Sequence, residues 1–183
     1  SLIIDTKSGK YGIFNPFTMD SEAVAKKAGV GEDAFPLKVY SFSKQVFDKD
    51  YNPERASLTD AGAIAGFVSS QRLGERDKVN VLVFNNHLQV TANLFTTLKT
   101  IPKSEQALRA LASKIAADAI TFGGSQVVFY GDGVKGAKNS LTKLRDLMDA
   151  VRVRMVDAIE VKEDGGYNSF YNDEIAEGSS EYG

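Results

Sequence analysis

The chain has no cysteine, and that absence constrains its fold more than any motif does. Without disulfides or thiolate-bound metal, its 183 residues must hold together by burying apolar side chains. The length suits one well-buried domain. A hydrophobic share of 43% and a charged share of 25% exclude disorder throughout and collagen-like or coiled-coil designs. The single histidine, His87, excludes multi-histidine metal centres and leaves little for histidine-based catalysis. The expectation is a non-enzymatic binding protein with no metal and no cofactor.

Apolar patterning divides the chain into short elements. Leu2–Ile4 and Tyr11–Phe14 flank a turn at Lys7-Ser8-Gly9-Lys10 and predict an N-terminal hairpin. Ser21–Ala28 reads as a short helix, and Leu37–Phe47 as the first long strand. Thr59–Ser70 reads as a small-residue helix capped by Thr59 or Asp60. Val79–Phe84 and Leu88–Leu98 are strands joined by Asn85-Asn86, residues that tolerate tight hairpin turns. Ser104–Ile120 is the clearest helix, with Leu108, Leu111 and Ile115 on one stripe and Gly123-Gly124 as its stop. Gln126–Tyr130 is a strand, and Ser140–Asp149 a short helix. Val151–Lys162 alternates as a strand, with a continuation of the preceding helix as the competing reading.

With the Thr59 helix set aside as an insertion, residues 37–162 run three strands, a helix and two strands. That is the element order of a five-stranded OB-like barrel. The expected class is α+β and mostly β: a hairpin and short helix over 1–36, the barrel core over 37–162 and an acidic, aromatic-containing tail over 163–183. A continuous helix from Ser140 to Ile159 would instead give a split βαβ, ferredoxin-like sandwich.

Charge is distributed unevenly. Eight acids and one base lie from Asp157 to the end, which leaves 16 acids and 21 bases before it. A basic body with an acidic tail fits either a polyanion-binding surface with a competing tail or a solvated, solubilising terminus. Strand alternation places Lys38, Tyr40, Phe42 and Lys44 on one face, Phe95 on the outward face of its strand with Gln89, Thr91 and Asn93, and Arg152 and Arg154 opposite Val151, Val153 and Met155. Cations neutralise phosphates and exposed rings stack on unpaired bases, so these seven residues are the candidate nucleic-acid surface. The competing reading packs the same rings beneath the hairpin or the Thr59 helix.

Ile101-Pro102-Lys103-Ser104 before an Ala-rich helix, Gly123-Gly124-Ser125 before a strand, and a last strand passing through Gly165-Gly166 into an acidic tail form one recognisable series. Over residues 101–175 it resembles the C-terminal half of small bacteriophage single-stranded DNA-binding proteins. The resemblance implies an OB fold, often dimeric, whose tail competes with DNA and contacts replication partners. The ending Glu181-Tyr182-Gly183 departs from that family's acidic run closed by an aromatic, and the first hundred residues match it poorly.

Other motifs carry less. Gly131-Asp132-Gly133-Val134-Lys135-Gly136 is glycine-rich, and Lys135 and Lys138 are placed to touch phosphate, but it lacks both the Walker spacing and the dinucleotide fingerprint. Asp48, Asp50 and Asn52 open like a calcium loop without its later glycine and glutamate. No apolar run of about eighteen residues predicts a membrane span, and Ser1–Lys10 carries no secretory pattern, so the expected location is the cytoplasm, that of the host if the protein is viral. Two functions stand: binding of single-stranded nucleic acid by a homo-oligomer whose acidic tail meets a protein partner, or self-assembly as a virion subunit with clasping terminal arms.

Overall fold

Two strands are buried on both faces, and that pattern dictates the architecture. In the computed structural model, which describes residues 2–5, 11–14 and 42–174 with side chains over 43–172, Asn80–Phe84 (β4) and Gln126–Tyr130 (β6) alternate between two separate cores. Val81, Val83, Val127 and Phe129 enter one; Leu82, Phe84, Val128 and Tyr130 enter the other. A strand apolar on both faces needs helices on both sides.

Leu2–Asp5 (β1) and Tyr11–Phe14 (β2) form an antiparallel hairpin of their own. The main sheet adds Phe42–Val46 (β3), Val90–Thr96 (β5), Arg154–Val161 (β7) and Tyr167–Ser169 (β8) to β4 and β6, in the order β3-β5-β4-β6-β7-β8. Four helices accompany it among the described residues: Ala61–Gln71 (α1), Glu105–Thr121 (α2), Lys138–Ala150 (α3) and Phe170–Glu174 (α4). α1 supplies Ala61, Ile64, Ala65 and Val68 to one core. On the opposite face α2 supplies Leu108, Leu111 and Ile115, and α3 supplies Leu141, Leu144 and Met148. The apolar stripe read for Ser104–Ile120 is therefore the buried one, and Leu111 is fully enclosed.

The α+β class holds, but the sheet is open, with β3 and β8 as its edges, and is not closed into an OB-like barrel. The reason lies in α3. It carries the chain from the end of β6 back to the start of β7, so these strands pair in parallel, Gln126 opposite Arg154 and Tyr130 opposite Ile159. Helices on both faces also exclude the two-layer split βαβ sandwich. Residues 154–161 are strand, as their alternation predicts, and the competing helix ends at Ala150. Ser21–Ala28 and residues 175–183 lie outside the described residues.

The segment after residue 162 is not all tail. β8 pairs with β7, and Phe170 enters the α2/α3 core. Asp157, fully buried at a bulge in β7, explains why. Its Oδ1 accepts from the amides of Ala158 (2.7 Å) and Tyr171 (2.9 Å), and its Oδ2 accepts from the Ser169 hydroxyl (2.6 Å). The Ser169 hydroxyl in turn accepts from the Asn172 amide and starts α4. Charge-assisted bonds of this kind are the strong ones. On the other face, Tyr130 donates its buried hydroxyl to Asn93 Oδ1 at 2.8 Å, and burial pushes that phenol well above its ordinary value of 10.

Two predictions follow from these buried groups. Asp157→Ala leaves two amides and a hydroxyl without their acceptor and is expected to cost on the order of 3 kcal/mol in urea unfolding. For Tyr130, the unfolded phenol titrates at the ordinary value while the folded one keeps its proton to higher pH. Above pH 10 the unfolded state binds fewer protons, so this contribution is intact below pH 10 and is lost as pH rises beyond it, by up to about 1.4 kcal/mol per pH unit. Tyr130→Phe should flatten that alkaline slope, whatever its effect on stability at pH 7.

Candidate nucleic-acid interface

The strands of the sheet place the predicted surface residues apart. Lys38 and Tyr40, and the side chain of Phe42, lie outside the described residues. Lys44 sits opposite Leu94 and Phe95 opposite Ser43, so Lys44 and Phe95 point to different faces of the sheet. Lys44 is bound to α2: its Nζ lies 3.7 Å from Asp118 Oδ1, which Lys114 also reaches at 3.2 Å, and 5.6 Å from the Phe122 ring centroid. Phe95 is half-buried, and its predicted companions Gln89, Thr91 and Asn93 are buried. The outward face expected for β5 is thus an interior one, because the second layer covers it.

Arg152 and Arg154, by contrast, are exposed. They stand at the start of β7, the end of the sheet that also carries the β4–β5 hairpin turn. The Arg154 amide donates to the Ser125 carbonyl at 3.0 Å, and the Ser125 hydroxyl donates to Asn86 Oδ1 in that turn. Lys135 and Lys138 are also exposed but lie at the opposite end, beyond the end of β6.

The hairpin end also carries an aromatic pair that strand alternation could not reveal. Tyr51, 55% exposed, stacks on His87 with ring centroids 3.9 Å apart and planes 31° apart. Both rings are held from below. Asn85 Oδ1 accepts from the amides of His87 (2.9 Å) and Gln89 (3.1 Å), which fixes the turn. The buried Gln89 side chain donates to the Asn52 carbonyl and accepts from its amide at 3.2 Å, tying the Tyr51 loop to the same hairpin. Arg55 clamps that loop by donating to the carbonyls of Asp48 and Val90. The sequence held one signal for this site: an aromatic in an Asp- and Asn-rich loop, and a histidine at an Asn-Asn turn.

Backbone conformation marks Arg152 further. Three helices end in the same motif, in which the residue after the cap turns left-handed and the next amide returns to the carbonyl five residues back. At the end of α2 that residue is Gly123, φ 74°, with Gly124 bonding Ala119. At the end of α3 it is Arg152, φ 63°, with Val153 bonding Met148, and at the end of α1 it is Arg72, φ 51°, with Leu73 bonding Val68. A side chain costs about 1–2 kcal/mol in this conformation. Attraction between a cation and the helix C-terminus offsets about 0.3–1 kcal/mol of it.

Among the described residues no group of three or more His, Asp or Glu side chains is placed to hold a metal ion, and no helix is long and apolar enough to cross a membrane. No protein-family model matches the chain, and no curated protein matches it.

If Arg152 is kept for its guanidinium rather than for the fold, Arg152→Gly should leave stability unchanged or raise it by up to about 1 kcal/mol. Chemical denaturation checks this; a loss above about 1 kcal/mol would make Arg152 a structural residue.

Proposed function

We propose that the protein is a non-enzymatic binder of single-stranded nucleic acid, and that the hairpin end of the sheet is its contact surface. The observation that carries the proposal is the exposed Tyr51–His87 stack at the end of the sheet where Arg152 and Arg154 are exposed. An unpaired base adds its own π-face to such a stack, while the two guanidinium groups take the flanking phosphates. The acids carried by the same segments, Asp48, Asp50 and Asp149, are solvent-exposed and weaken the local field without closing the surface. Lys135 and Lys138, at the far end of α3, extend phosphate contact to a longer strand in this reading.

The test is an anisotropy titration with a fluorescein-labelled oligothymidylate at several salt concentrations. Tyr51→Ala should weaken binding by about 1–3 kcal/mol with the salt slope unchanged, because stacking releases no counterions. Arg154→Gln should lower the slope's magnitude by about 0.7, the share of one phosphate on a single strand. Equal affinity for duplex DNA would overturn the stacking component. Absence of any binding at low salt, together with large particles in light scattering, would move the reading to a self-assembling structural subunit.

A further inference from the structure

The far end of the sheet carries a different feature. A cavity of about 310 Å³ opens between the end of α1, the turn that follows it and the last residues of β6 and β7. Val68, Leu73, Val161 and the ring of Tyr130 form its apolar wall, and Arg72 and Arg76 stand at it. Its volume is at the small end of the range for pockets that take small molecules. The cavity also follows the general rule for open sheets with parallel strands, whose ligands sit beyond the carboxyl ends of those strands.

Two further observations bear on what it would hold. Arg72 is exposed and keeps a left-handed backbone at the end of α1, the position that glycine fills at the end of α2. A long cationic side chain held in a disfavoured conformation at the wall of a cavity is a feature that function explains better than folding does. At the end of α1 the carbonyls of Val68 and Ser69 accept from the amides of Leu73 and Arg72, and the cations Arg72 and Arg76 must outweigh the remaining negative end of the helix. Arg76 is anchored through one nitrogen, which donates to the Lys162 carbonyl at 2.9 Å. Of the neighbouring acids, Glu75 is paired with Lys78, while Asp77 and Asp132 are exposed.

The wall itself is built for close approach. Gly131, φ 110°, has the Lys78 carbonyl 2.2 Å from where a Cβ would stand. Gly74, φ 76°, lies against the Tyr130 hydroxyl, which a Cβ there would meet at 2.5 Å. That hydroxyl is committed to Asn93, and Tyr130, 2% exposed, closes the back of the cavity.

We propose that this cavity is a binding site for a small organic anion: a compact apolar or aromatic body against Tyr130, Leu73 and Val161, with its carboxylate or phosphate between Arg72 and Arg76. The proposal is independent of the nucleic-acid reading, which concerns the opposite end of the sheet.

Phenyl phosphate, benzoate, benzyl alcohol and inorganic phosphate, each titrated into the whole protein by calorimetry, test it. One or both aromatic anions should bind saturably with a Kd of about a millimolar or tighter, and at least about tenfold more tightly than benzyl alcohol or inorganic phosphate. Preference between benzoate and phenyl phosphate identifies the anionic group. Arg72→Gly suits its backbone conformation, so it should fold normally and bind the preferred anion at least about tenfold more weakly. Arg72→Asn, which tolerates the same conformation, repeats the test. Binding of inorganic phosphate as tight as that of phenyl phosphate, binding unaffected by both Arg72 variants, or no binding of either aromatic anion would overturn the proposal.

Discussion

Removal of water from both faces of β4 and β6 is the constraint on which the rest of the structure depends. At roughly 25 cal/mol per Å² of apolar surface, strands that bury Val81, Leu82, Val83, Val127, Val128 and Phe129 completely are the largest concentration of hydrophobic stabilisation in the chain. Neither strand can be satisfied by a single layer. α1 covers one face, α2 and α3 the other, and α3 reaches its position only by crossing over the sheet, which forces β6 and β7 into parallel register. Every feature at the two ends of the sheet follows from that arrangement. The β4–β5 turn and the C-termini of α2 and α3 gather at one end, and the C-terminus of α1 and the carboxyl ends of the parallel pair, with their cavity, lie at the other.

Individual elements were legible in the sequence because their signals are local. The Leu108, Leu111 and Ile115 stripe, the Gly123-Gly124 stop and the Val151–Val161 alternation each depend on a few neighbouring residues. The architecture was not legible. An element order of strands and helices does not record which strands pair, and the expected barrel order has no place for the Ser140 helix, which decides the topology. The same gap misplaced the candidate surface. Gln89, Thr91 and Asn93 alternate with apolar residues as a wetted face would, yet they are buried, and Gln89 and Asn93 bond residues 37 positions away. Gln89 holds the Tyr51 loop, and Asn93 accepts from Tyr130. Lys44 read as a free cation and is instead turned toward a buried carboxylate on a distant helix. Of the candidate site, Arg152 and Arg154 were picked out because they alternate with Val151, Val153 and Met155, although only Arg154 lies in β7. Tyr51 and His87 were missed because two loops meet there, and no periodicity reports on loops.

The two left-handed arginines unite the ends of the molecule. Each occupies a position at which glycine would serve the backbone better, and each stands beside one of the two surfaces proposed to bind an anion. Local rules of sequence–structure agreement fail most informatively at such positions. Among the described residues three non-glycines take this conformation, Arg72 and Arg152 at the ends of α1 and α3 and Leu88 in the β4–β5 hairpin, while α2 ends on Gly123.

The buried carboxylate of Asp157 carries a consequence for how the chain tolerates shortening. Besides the adjacent Ala158 amide, it accepts from Ser169 and Tyr171, well past the last residue of β7. A protease that removes only residues beyond Glu174 takes away none of these donors. One cut further in, the enzyme strips a fully enclosed anion of its partners and withdraws Phe170 from the α2/α3 core. Loss of the C-terminus is therefore a threshold phenomenon. Digestion should yield either a trimmed, intact domain or complete degradation, with no stable fragment ending at Lys162.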